Sequence, residues 1–143
     1  MIVPDTNLLI YAFNRDAQLH KQAAAWWEGL LNGRELVGIP WVVMQAFIRL
    51  LSSRSVVRDP YSTAELFDIC DEWLSIDVVS LLDPTQSTYQ TWRELMTQYQ
   101  LPGTMSTDAL IAAEALSNDA TVHSNDGDFL RFKGLQLVNP MIS

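Results

Sequence analysis

Short apolar runs bounded by turn residues alternate along this chain with longer stretches whose apolar positions recur every three to four residues, the signature of strands and helices taken in turn. Met1 to Pro4 reads as a buried strand that feeds a helix from about Asn7 to Phe13. From Gln22 to Leu31, Ala23, Trp26, Trp27, Leu30 and Leu31 share one helical face, and Asn32-Gly33 ends it. Val37 to Ile39 suits a second strand. Pro40 then occupies a helix-start position ahead of Val43, Phe47, Leu50 and Leu51. Ser62-Thr-Ala-Glu65 has the capping-box pattern and opens a helix to about Ser75. Val78 to Leu82 is β-branched and apolar, a third strand, after which Asp83-Pro84 is expected to cap a helix carrying Tyr89, Trp92, Leu95, Met96 and Tyr99. Leu101 to Ser106 reads as a loop, Thr107 to Ser117 as a helix, Ala120 to Ser124 as a fourth strand and Leu135 to Val138 as a fifth. Strand and helix alternate throughout without repeat or linker, which predicts a doubly wound α/β domain with a mostly parallel sheet and helices on both faces.

The length of 143 residues fits one domain, 1–143, and 48% hydrophobic content supports a packed core rather than disorder. No apolar run reaches the roughly 18 residues of a membrane span and the start lacks the character of a signal peptide, so a cytoplasmic protein with no membrane partner is expected. Cys70 has no second cysteine to pair with and is expected as a small buried residue. A net charge of −8 argues against a protein that grips nucleic acid by bulk charge. A local basic strip remains open to it, and Arg49, Arg54 and Arg58 are the candidates, with a solvated helix face and its following loop as the plain alternative.

The aspartates change the picture most. Asp5 follows the first strand, Asp108 opens the helix before the fourth strand, and Asp126 and Asp128 follow that strand. In a parallel sheet strand ends and the starts of returning helices lie at one edge, so these four carboxylates are expected to gather there. Each has a plain reading: Asp5 as a helix cap, which Asn7 could equally supply, Asp108 as a first-turn acid, Asp126 and Asp128 as turn residues around Gly127 or as an extended pair spaced about 6 to 7 Å apart on one face. Together they make a costly pocket, since two charges about 4 Å apart repel by about 4 kcal/mol at an effective dielectric near 20. All-oxygen ligands without paired His or Cys point to Mg²⁺ or Mn²⁺ and hence to phosphate chemistry. His20 and His123 are expected as structural or surface residues rather than metal ligands, and four of the five tryptophans fall on apolar stripes, Trp41 excepted.

The segments Pro4-Asp-Thr-Asn-Leu-Leu-Ile-Tyr-Ala-Phe13, Pro40-Trp-Val-Val-Met-Gln-Ala-Phe-Ile-Arg-Leu50, Thr107-Asp-Ala-Leu-Ile-Ala-Ala113 and Ser124-Asn-Asp-Gly-Asp-Phe-Leu-Arg-Phe132 resemble, in this order and over nearly the whole chain, a PIN-domain ribonuclease of the VapC toxin type. The resemblance implies a three-layer α/β/α domain with a central sheet of about five strands. It further implies a Mg²⁺- or Mn²⁺-dependent endoribonuclease that is dimeric, acts on RNA, is held inactive by a VapB-like antitoxin, and meets DNA only through that antitoxin. Asp5, Asp108 and Asp126 match the acidic centre, Asp128 a further metal ligand, and Asn7 and Ser124 supporting positions. Arg49 or Arg131 is expected to orient the phosphate backbone. One departure stands out: where many PIN domains have a Glu just before the Phe of the Phe-Ile-Arg segment, this chain has Ala46, preceded by Gln45, which could supply a neutral oxygen. Weaker metal binding is therefore expected, and the rival reading is a catalytically weak PIN-like module that binds RNA or protein. A phosphatase of the haloacid-dehalogenase kind is disfavoured, because its Asp-x-Asp pair would need an Asp at Asn7.

Overall fold

Ile2, Val3 and Pro4 are buried on both faces, as a central parallel strand requires, and form β1 (Ile2–Pro4) in the computed structural model, which describes residues 1–142. Around it run β2 (Val37–Pro40), β3 (Val79–Leu82), β4 (Thr121–His123) and β5 (Gln136–Val138) in the order β3-β2-β1-β4-β5, with every neighbouring pair parallel. The helices are α1 (Thr6–Phe13), α2 (His20–Leu31), α3 (Trp41–Leu51), α4 (Thr63–Leu74), α5 (Gln86–Gln98) and α6 (Ser106–Ser117), which flank the sheet as a three-layer α/β/α domain. From β1 the chain first builds outward through β2 and β3 and then returns to add β4 on the other side. The switch in direction therefore falls between β1 and β4, where a parallel sheet leaves a crevice at its carboxyl ends.

The elements follow the sequence pattern with local differences that have identifiable causes. The predicted Asp83-Pro84 cap gives way to Thr85, whose hydroxyl accepts from the Thr88 N–H (3.3 Å) while Thr88 Oγ1 accepts from the Thr85 N–H (3.1 Å), a reciprocal box that a Thr at the third helical position closes as well as the usual Glu. Residues Gly103–Met105 in the expected loop wind into one 3₁₀ turn leading into α6. The extended pair expected at Asp126 and Asp128 is instead a 3₁₀ turn over Gly127–Arg131, because the Asp126 carboxylate captures the Asp128 N–H at 2.9 Å.

On one face of the sheet an aromatic cluster locks four helices together: Phe47 of α3 lies 5.3 Å from Phe13 and 4.7 Å from Trp73 of α4, which stands edge-on to Trp27 of α2 at 5.0 Å. Phe47 is fully buried. Cys70 is buried beside this cluster, and burial pushes its thiol up to about 11. No helix among the described residues is long and apolar enough to cross a membrane.

Candidate metal centre

Each carboxylate reaches the sheet edge by a different local device. Asp5 ends β1 and caps α1, its Oδ1 accepting from the Thr6 N–H at 2.7 Å, so the cap is Asp5 and not Asn7, which is exposed in the first helical turn. Asp5 is itself only 4% exposed. Its second oxygen accepts from the Ser124 hydroxyl at 2.7 Å, and its backbone N–H donates to His123 O at 2.9 Å, which stitches the ends of β1 and β4 together. Ser124, equally buried, also accepts the Asp126 N–H at 2.9 Å. One hydroxyl thus fixes the position of two aspartates. Asp108 enters from above in the first turn of α6, whose start is anchored by the Trp92 indole N–H donating to Ser106 O at 3.0 Å.

Asp108, Asp126 and Asp128 each present a carboxylate oxygen such that all three atoms lie within 4.8 Å of one another. Asp108 and Asp126 are half-buried and Asp128 is exposed, so the group opens to solvent. Asp5 stands behind it. The crowding is visible in acidity: burial first, then the negative charges of Asp5, Asp126 and Asp128, push the Asp108 carboxyl up to about 6, against a smaller opposing pull from Arg131. Asp5 is raised too, by burial above all, with its hydrogen bonds from Ser124 and Thr6 acting in the opposite direction. Three acidic oxygens in one open pocket, one of them resisting ionisation, form a hard-cation donor set with charge to spare, and the residues present fit a divalent ion such as Mg²⁺ or Mn²⁺.

The other anticipated residues divide. Arg131 is at the pocket, its guanidinium 3.6 Å from Asp128. Arg49 lies in the last turn of α3, about 12 Å along the axis from the end of that helix nearest the pocket, at 1.5 Å per residue. The basic strip of Arg49, Arg54 and Arg58 belongs to the opposite edge of the sheet, since α3 runs antiparallel to the strands, and Arg58 pairs there with Asp16 at 3.6 Å. Ala46 is buried and Gln45 exposed on α3. Glu114, two turns into α6, is 2% exposed with one oxygen unpartnered, and the charge that acts on it is that of Asp83 rather than the pocket. His20 and His123 take structural bonds: the ring of His20 pairs with Tyr11 O at 2.9 Å, and His123 Nδ1 accepts from the Trp26 indole at 3.0 Å. A contact that the sequence pattern does not announce ties Trp41 at the start of α3 to Asp83 after β3, the indole N–H donating at 2.8 Å. Its only signal in the sequence is that Trp41 stands off every apolar stripe.

Comparison with known proteins agrees with this geometry. The PIN domain family matches residues 2–135. Ribonuclease VapC33 of Mycobacterium tuberculosis is 33% identical over 99% of both chains, and ribonuclease VapC43 of the same organism 32% identical over 99% of this chain and 96% of its own. In three dimensions the chain is similar to VapBC2 from Rickettsia felis, solved bound to a DNA fragment from its promoter (TM-score 0.68, 22% identity, 97% and 98% covered), and to VapC20 of M. tuberculosis, a sarcin–ricin loop cleaving toxin (TM-score 0.67, 20% identity, 95% and 99% covered).

Proposed function

Because the chain belongs to the PIN-domain family and to its VapC group, we propose that it is a metal-dependent endoribonuclease, the toxin of a toxin–antitoxin pair, working in the cytoplasm as a homodimer. The observation that carries the reading is the set of three carboxylate oxygens within 4.8 Å at the switch point of a parallel sheet. A bound Mg²⁺ or Mn²⁺ would supply a water of lowered pKa and charge to neutralise the attacked phosphate. Asp108, Asp126 and Asp128 would hold it. Asp5, gripped by Ser124 and Thr6, stands behind the ligands and orients the edge of the crevice. Arg131, already drawn to Asp128, is placed to take a phosphate oxygen once the cation satisfies that carboxylate.

The antitoxin would use both features that make this chain unusual as a nuclease. An apolar groove of about 370 Å³ between α2 and α4, lined by Ala24, Trp27, Leu31, Ile69, Trp73 and Ile76 with Glu28 and Glu72 among its residues, suits an apolar helix flanked by basic residues. The net charge of −8 favours such a basic partner, and an Arg or Lys tail can occupy the acidic pocket in place of the cation. DNA enters only through that partner.

The test is cleavage of total cellular RNA by the purified protein in Mg²⁺, Mn²⁺ or chelator, with Asp5→Asn and Asp126→Asn as controls. Metal-dependent cleavage lost in both variants is expected. RNA binding without cleavage in either metal would replace the enzyme by the weak binding module that the buried Ala46 makes its natural rival.

A further inference from the structure

Trp41 is 52% exposed, yet its indole N–H is held by Asp83 Oδ1 at 2.8 Å. Its place follows from strand register. Pro40 pairs with Leu82 and Ile2 with Val37, so Trp41 is the first residue beyond the carboxyl end of β2 just as Asp5 is the first beyond β1. Adjacent strands are separated by about 4.8 Å. The residue therefore follows the strand next to β1, on the β2 side of the acidic crevice, and its ring is tethered toward β3 by Asp83. We propose that Trp41 is a stacking platform for an unpaired base of the RNA, holding the nucleotide next to the one whose phosphate enters the crevice; the inference rests on the ribonuclease reading above. Unpaired RNA bases stack on exposed aromatic rings, and such stacking is tolerant of sequence. Asp83 acts as a positioning residue: it fixes the ring's orientation without itself touching the base.

The experiment measures fluorescence anisotropy of the full-length protein in Ca²⁺, which fills the oxygen site without supporting rapid cleavage. Two labelled probes are used, a random-sequence single-stranded RNA and a ribose-phosphate oligomer of the same length lacking bases. The expected result is that Trp41→Ala weakens binding of the RNA about 5- to 150-fold, the range of one stacked base, leaves the abasic oligomer unchanged, and does not alter the mass of the assembly by light scattering. Trp41→Phe should retain most of the affinity. Equal weakening of both probes, or a change of mass, overturns the proposal and makes the ring a structural or subunit-interface residue. Unchanged RNA binding by Trp41→Ala in a protein whose wild type binds and cleaves RNA overturns it while leaving the ribonuclease intact. A wild type that neither binds nor cleaves overturns both.

Discussion

Replacing Asp126 by Asn tests the acidic pocket through stability rather than turnover. The Asp108 carboxyl, ordinarily near 3.8, is pushed up to about 6 in the folded chain. A displacement of about 2 pH units is worth about 3 kcal/mol, and solvent screening at a partly exposed carboxylate brings this to about 2 kcal/mol. The sign follows from proton counting: between pH 3.8 and about 6 the folded state keeps a proton that the unfolded chain has lost, so stability falls with rising pH across that window and stays low above it. Burial is the leading cause and survives the substitution; Asp5 comes next, and Asp126 third. The Asp126→Asn amide also keeps an oxygen for the Asp128 N–H, so the 3₁₀ turn should hold. The relief should then be about 0.5 to 1 kcal/mol, a rise in Tm of about 2 to 4 °C in chelator at pH 7.5 that vanishes near pH 4. Mn²⁺ should act in the opposite sense. At a hundredfold excess over Kd a ligand stabilises by about 2.7 kcal/mol, and the variant, having lost a charged ligand, should gain much less from the same Mn²⁺ concentration. Differential scanning fluorimetry at two pH values, with and without Mn²⁺, reads all four states. Equal stabilisation of both proteins by Mn²⁺, or a lower Tm for Asp126→Asn in chelator at pH 7.5, refutes the assignment of this cluster as the metal site.

Ser124→Ala strips Asp5 of one hydrogen bond and orphans the Asp126 N–H, so it should cost roughly 1 to 3 kcal/mol in thermal unfolding and reduce RNA cleavage more than Tm alone would explain. Glu114→Gln imitates the protonated form of a buried carboxyl whose pKa burial raises; its Tm should match wild type near pH 4 and exceed it at pH 8, because the wild type alone loses stability as pH rises through the raised pKa. Arg131→Gln should raise KM for RNA and flatten the log–log salt dependence of binding by about 0.7, the value for one phosphate contact on a single strand. Ala46→Glu, at a buried position on α3, should lower Tm in chelator yet enlarge the Mn²⁺-induced rise; a variant that loses both would show that this position does not face the ion.

The fold was readable because its parallel strands are short and bounded by turn residues, and because most helices carry a face at the 3.6 period, while α6 is long and apolar enough to read as a buried helix. The gathering of aspartates was readable for a topological reason: once strands are parallel, residues at their carboxyl ends and at the starts of the following helices share an edge whatever the loops do. What escaped was what individual atoms choose. Asp5 rather than Asn7 caps α1, since Asp5 lies in the extended conformation just outside the helix while Asn7 is already its second residue. Thr85 outcompetes Asp83 because its partner Thr88 can return the bond, a reciprocity invisible until both backbones are placed. The basic strip fails on direction: α3 starts at the acidic edge, but a helix of eleven residues carries its last turn, and the arginines there and beyond, to the other edge.

The arrangement of the four acids separates two tasks that a single cluster would confuse. Asp5 is buried, doubly hydrogen-bonded and tied to the sheet, so its position cannot follow the charge of whatever enters the crevice. Asp126 caps the five-residue turn that carries exposed Asp128, and Asp108 sits in the first turn of a helix, so these three reach the open side of the crevice. The inner acid anchors the edge and the outer three supply the oxygens that meet an entering ligand. In the chain by itself only Arg131 opposes the negative charges acting on Asp108, whose carboxyl is pushed up to about 6. A divalent cation or the basic side chain of a protein partner would draw that value back down by the same electrostatics. The two ligands should therefore compete for one pocket, and each should weaken the other by the mass action of shared carboxylates rather than by any change of fold.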